Sequence, residues 1–316
     1  MVFLTALSKV LPIFLLILLG VALRRWRFVG PETVQDLRRV VVNITLPAVL
    51  FLAFSQVTLA PQYLVVVAIM FTACLLALLL GRWLTGPLRV DSAYLPSLLT
   101  GFEAGMMGYA IYAAVYGAET IYKFGIVDLG QVLFVFFVLV PGLERLTHGA
   151  RPLSATALSF LKTPVILAIL GGLLFKATGL TELFTASPLL NSTLETLGLL
   201  GALTTPLVAL VIGYGLTLRA GALARPVRTV AVRLLLWLPF GLALSVFVVG
   251  RLLGLDQEFQ AAVLTMVLLP PPFVIPMFMA KATEEDANYV VNTLTLATLV
   301  TLFAYALVPT IFPPGL

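Results

Sequence analysis

The chain is short of most residues that carry chemistry in water. Its 316 residues include one cysteine and one histidine. A single cysteine excludes a disulfide frame and a thiolate metal site, and Cys74 lies in an apolar run. His148 sits beside Arg145 and Arg151, where it reads as a solvated loop residue. No metal and no cofactor are therefore expected. Charge is scarce as well, at 10% of residues against roughly 25% in a soluble domain. What is abundant is apolar surface: hydrophobic residues make up 61% and the mean hydropathy is +1.11. That much cannot be hidden in one water-soluble core, which needs a polar shell. The expected class is an all-α integral membrane protein.

A helix needs about 20 apolar residues to cross about 30 Å of hydrocarbon. That window gives ten transmembrane helices, near 3–23, 34–54, 63–83, 92–117, 121–141, 160–177, 189–216, 228–252, 259–281 and 288–312. The N-terminus lacks the basic region and small-residue cleavage site of a secretory signal, so the first stretch is expected to stay as a span. Of 19 Lys and Arg, 15 fall on one side of this layout and 4 (Lys9, Lys123, Lys176 and Arg251) on the other. The positive-inside rule then puts both termini on the extracytoplasmic side of the cell membrane. The same rule accounts for the net charge of +5 without a nucleic-acid partner.

The chain repeats itself. Pro12–Gly20 matches Pro164–Gly172 at an offset of 152. Thr45-Leu46-Pro47 in span two has its counterpart in Thr204-Thr205-Pro206 of span seven. Gly81-Arg82 pairs with Gly250-Arg251, and Val140-Pro141 with Val308-Pro309. The common order predicts two five-helix repeats, residues 1–150 and 151–316. Five is odd, so the second enters the membrane inverted, a transporter plan with the solute at the midplane. An ordinary bundle with accidental similarity is the competing architecture.

The fourth member of each repeat has unusual backbone chemistry. Span nine carries Pro270, Pro271 and Pro272 at its centre, followed by Pro276. Each lacks an N–H and biases the preceding residue away from helix. Span four carries Gly101, Gly105 and Gly108 around Glu103. Glycines there ease unwinding or, alternatively, allow close helix packing. Unwound backbone at that depth survives only when sheltered by protein or by a wet cavity. The two breaks are therefore expected to cross at the midplane, bringing positive helix N-termini to one spot. A carboxylate at the bilayer centre costs about 2.5–3.5 kcal/mol. Glu103 can take up and release a proton as its exposure changes, or bind a cationic part of the solute. It can also be a neutral carboxyl bonded to unwound backbone.

Four further polar side chains lie in the spans. Asp128 and Gln131 share a face one turn apart, fitting either the solute or proton path or a role in bonding the frayed backbone of span four. Asn43, with Thr45, can contact solute or satisfy carbonyls freed by Pro47. Asn292, with Thr295, can contact solute or join helices. Glu284, Glu285 and Asp286 cap the tenth helix. No pair of midplane aspartates and no Gly-x-Ser-x-Gly motif with a membrane histidine is present, which argues against an intramembrane enzyme. A membrane sensor that keeps a transporter fold without net transport is the alternative function.

The pattern resembles the auxin efflux carrier family. The resemblance rests on Leu11-Pro12-Ile13-Phe14 leading to Gly20 and an Arg cluster, and on Leu46-Pro47-Ala48-Val49-Leu50-Phe51. It also rests on Pro206 with Gly213 and Gly215, on the Gly105/Gly108 spacing, and on the span-nine prolines followed by Ala280. It implies a fold like those of sodium/proton antiporters or bile acid symporters. Spans 1, 2, 6 and 7 would form a scaffold, and spans 3–5 and 8–10 a mobile transport unit. It further implies a homodimer and a secondary active transporter of an organic anion, an auxin-like acid or a dicarboxylate, with a proton or sodium ion as coupling partner. The chain departs from the family at Glu103, where Asn is usual, at Ala110, where Pro is usual, and at Ile275 or Pro276, where an Asn is expected.

Overall fold

The computed structural model describes residues 2–57, 60–147, 158–219 and 223–314, with side chains from Leu11 onward. His148, Arg151 and the boundary at 150/151 lie outside the described residues, as does the side chain of Lys9. Among the described residues, helices are the only regular elements. In order, the helices are α1 (Val2–Arg25), α2 (Pro31–Phe54), α3 (Gln62–Leu88), α4 (Leu95–Leu98), α5 (Tyr109–Tyr116), α6 (Ala118–Leu146), α7 (Pro164–Ala177) and α8 (Leu180–Ala186). They continue with α9 (Pro188–Gly215), α10 (Ala224–Leu252), α11 (Gln257–Leu268) and α12 (Glu284–Ile311). Six of these, α2, α3, α6, α9, α10 and α12, are long and apolar enough to cross a membrane. The pair α7 and α8, bent by 79°, makes a seventh if counted as one.

Local chemistry sets many of the boundaries. Pro31, Pro164 and Pro188 open α2, α7 and α9 at the first turn, where a missing N–H does no harm. Asp256 caps α11 by accepting from the Phe259 N–H at 3.0 Å. Thr283 caps α12 by accepting from the Asp286 N–H at 3.1 Å, with Glu284, Glu285 and Asp286 in the first turn. Pro47 and Pro141 sit inside helices, and each follows a wide π-helical turn, Val41–Thr45 and Val135–Leu139. Longer-range hydrogen bonding there lets the chain pass a residue that cannot donate.

Two departures from expectation concern the broken spans and their neighbours. The ninth segment was expected to stay a span as far as 281, but regular helix ends at Leu268 and resumes at Glu284. Only a short 3₁₀ turn, Ile275–Phe278, intervenes. Four prolines in seven residues remove too many donors for an α-helical second half. The turn of α8 was not foreseen. Gly179, in the left-handed region at φ 73°, ends α7 and redirects the chain.

α1, α2, α7 and α9 pack on one another, while α3, α6, α10, α11 and α12 form a second set of mutual neighbours. The α1–α9 contact is backbone on backbone: a Cβ added at Gly213 would lie 2.0 Å from Ile17 O, and one at Gly20 2.3 Å from Leu210 O. Gly213→Val is therefore expected to destabilise the protein by about 1–3 kcal/mol through overpacking. Thermal unfolding in detergent reads this as a lower midpoint, and an unchanged midpoint would contradict the packing.

Candidate functional site

The fourth and ninth segments meet at their breaks. Between α4 and α5 the chain leaves helical geometry at Leu99–Glu103 and re-enters through a π-helical turn, Ala104–Gly108. Gly101 takes φ +64°, a conformation side chains resist, and a Cβ there would lie 2.8 Å from Pro272 Cγ. The Glu103 N–H donates to Pro270 O at 2.9 Å, tying one break to the other. The Glu103 carboxylate serves both. One oxygen accepts from the Met106 N–H at 2.9 Å and the other from the Phe273 N–H at 2.5 Å. Glu103 is thus an N-cap for the turn leading into α5 and, across the crossing, a partner for the backbone ahead of the 3₁₀ turn.

The opposite ends of the half-helices present carbonyls, and a cation meets them. Arg233 of α10, 3% exposed, donates to Leu98 O at 3.1 Å, Gly101 O at 2.6 Å and Leu269 O at 3.1 Å. Its guanidinium also lies 4.9 Å from the Phe102 ring centroid. One turn on, the Trp237 indole N–H donates to Leu99 O at 2.8 Å. Thr301 of α12 donates to Leu268 O. The Phe102 N–H donates to Gln131 Oε1 at 3.2 Å, the Gln131 amide to Asp128 Oδ1 at 2.6 Å, and the Tyr109 hydroxyl to Asp128 Oδ2 at 2.8 Å. Positive charge faces helix C-termini and negative charge faces N-termini, the arrangement that the peptide dipoles favour.

Two cavities lie near the meeting of the breaks, one bordered by Tyr109 and Ala113 and the other by Met106 and Phe273. One, of about 420 Å³, is lined by Gln56, Tyr109, Glu119, Gly201, Thr204 and Thr205 among others. The other, of about 410 Å³, is lined by Arg38, Met106, Thr217, Arg219, Phe273 and Thr295 among others. Met106 and Tyr109 lie three residues apart on the same helical run but border different cavities. The second cavity is lined by Met106 and Phe273, whose N–H groups hold Glu103.

The structure thus gathers Glu103, Gly101, Asp128, Gln131, Pro270, Pro271 and Pro272 around one crossing. Gly108 packs beside it, where a Cβ would lie 2.5 Å from Phe124 Cζ and 2.7 Å from Leu269 Cδ1. Gly105 has open space, with only Glu103 Oε1 at 4.0 Å. Asn292 lies elsewhere: it accepts from the Arg219 N–H at 2.8 Å and donates to Arg219 O at 3.2 Å, while Thr295 donates to Thr217 O at 2.7 Å. Together they hold the extended stretch 216–219 against α12. Asn43 is exposed and donates to Arg39 O at 2.8 Å. Pro47 would free the carbonyl four residues back, which is that of Asn43 itself, so the Asn43 amide does not repair that loss. The Thr45 hydroxyl is buried and has no hydrogen-bond partner among the described residues.

Arg233 escaped the sequence reading. It was counted among the 15 basic residues of one membrane face, though it falls inside the 228–252 window, and burial removes it from that count. Its spacing of four from Trp237, on one helix face, was the available signal. Lys123, counted among the four basic residues of the other side, is buried and bound by Asp256 at 2.6 Å and by Glu258. Arg233→Met should lower stability by roughly 1.5–3 kcal/mol per charge-assisted bond lost, less whatever relaxes. Arg233→Lys, keeping charge without the fork, should fall between. Unfolding midpoints that place Lys no better than Met would contradict this geometry.

Comparison with known proteins agrees with a role in moving solutes. Residues 5–155 match the family described as membrane transport protein. A protein of Methanothermobacter thermautotrophicus described as an uncharacterized transporter is 26% identical over 226 residues, covering 69% of this chain and 70% of that one. The family is one of transporters and not a class of enzymes. The motifs around Leu46-Pro47 and Gly105/Gly108 lie inside the matched region, so the first half of the chain is similar to a family of membrane transport proteins.

Proposed function

We propose that the protein is a secondary active transporter that carries a small organic acid across the cell membrane by alternating access. The observation that carries this reading is the crossing itself: two interrupted helices share their polar backbone groups, with two cavities near them. In this reading the ten segments are ten spans in two inverted repeats of five, and α4–α5 and the 257–281 segment cross near the midplane. The set containing α1, α2, α7 and α9 is the scaffold, and the other set moves against it, as a homodimer. Both termini face the extracytoplasmic side. With buried Arg233 and buried Lys123 both left out, the count is 14 against 3, which supports that orientation because the rule weighs loop charges.

The nature of the solute follows from the charges at the cavities. Backbone donors at the crossing are taken by the protein's own Glu103. An external carboxylate is instead received by Arg38 and Arg219, which line the second cavity. Glu103 is the coupling group: exposing it to water lets it exchange a proton, and losing its charge weakens the bonds that hold the two breaks together.

Flux of radiolabelled mono- and dicarboxylic acids into proteoliposomes tests the proposal, and binding without flux would assign the chain to a sensor. Arg38→Gln is expected to raise the half-saturating concentration of an anionic substrate about tenfold, the worth of one charge-assisted bond. In Glu103→Gln the pH dependence of uptake should disappear. Uptake with the same pH profile as the unaltered protein would reject proton coupling at that residue while leaving carboxylate transport intact.

A further inference from the structure

A third cavity lies apart from these two. It has a volume of about 380 Å³ and is framed by the C-terminal part of α3, the start of α4 and the C-terminal part of α6. Its polar groups are Arg82, Arg145 and Ser97; Leu78, Phe137 and Leu146 are among its apolar walls. Arg82 and Arg145 come from different helices and are both exposed. Among the described residues neither guanidinium has a carboxylate partner. Glu144, next to Arg145 in the chain, is buried, engaged elsewhere and not part of the lining. Ser97 is itself buried, and its hydroxyl makes no hydrogen bond among the described residues. Two unneutralised forks and a free hydroxyl therefore meet in one pocket with greasy walls.

Like charges brought together without a counter-ion repel, so the pocket gains by accepting an anion. Arginine forks match the oxygens of a phosphate, which offers acceptors in several directions at once. A hydroxyl supplies one more donor. Basic pockets between membrane helices at the positively charged rim suit phospholipid headgroups, whose chains need an apolar wall alongside. From this juxtaposition of Arg82, Arg145 and Ser97 in one apolar-walled cavity, we infer a phosphate-binding site separate from the solute path.

The probes are phosphatidylglycerol in mixed micelles, phosphatidylcholine as the zwitterionic control, and inorganic phosphate at ionic strength matched with chloride. The full-length protein is followed by its unfolding temperature, since a ligand of the folded state raises it. Phosphatidylglycerol should raise it more than phosphatidylcholine does, and Arg82→Gln with Arg145→Gln should abolish most of that difference. Both residues are exposed and unpaired, so folding is expected to survive. Arg25→Gln with Arg27→Gln, exposed arginines outside the cavity lining, should leave the difference in place. A rise with inorganic phosphate that disappears in the Arg82/Arg145 variant identifies free phosphate as the source, and a rise with the lipid alone identifies the headgroup. No rise with either probe, or equal losses in the Arg25/Arg27 pair, would overturn the site.

Discussion

Lipid offers no hydrogen bonds, so every peptide group that leaves a helix inside the membrane must find a partner within the protein. The crossing meets that demand on both breaks together. Carbonyls of Leu98, Leu99, Gly101, Leu268, Leu269 and Pro270 are each received by a named donor, and so are the amides of Phe102, Glu103 and Phe273 by named acceptors. Neither interruption could stand alone. The prolines of one segment supply carbonyls without amides, and the glycines of the other let its backbone come close enough to use them. Arg233 and Glu103 then act as opposite poles, one gathering acceptors and the other gathering donors.

The neighbouring helices are arranged around this requirement. α10 presents Arg233 and Trp237 from one face, α6 presents Asp128 and Gln131, and α12 presents Thr301. The aromatic rings of Phe102 and Trp237, 4.7 Å between centroids, cover the cation from the side. Shielded in this way, hydrogen bonds to the guanidinium gain strength, because little water competes for them.

Much of this plan was legible in the amino-acid order, and the misses have physical causes. Pro270–Pro272 and Gly101 announced the breaks because their backbone chemistry is local. The stretch after Pro272 read as a half-span because Phe273, Val274, Met277 and Met279 are apolar, and hydropathy does not distinguish a helix from an irregular strand of the same side chains. Arg233 was read as a surface charge because a count of basic residues carries no information on burial. Glu103 was singled out as a carboxyl in an apolar span, and it is buried, but its two amide partners lie 3 and 170 residues away. The second distance is invisible to any pattern along the chain. Asn292 shows the same limit: its bonds to Arg219 span 73 residues.

The glycine contact between α1 and α9 bears on how stiffness is distributed. Where side chains interlock, a small displacement is absorbed by bond rotations. At Gly20 and Gly213 there are none to rotate, and main chain rests directly on main chain. That pair of helices therefore behaves as a keel, with shear resisted near the C-terminal ends of both by carbonyl oxygens that have little room to yield. Across α5 and α9, by contrast, the join includes a threonine bond from Thr205 to Ala110 O at 3.3 Å, a fastening that one side-chain rotation can release.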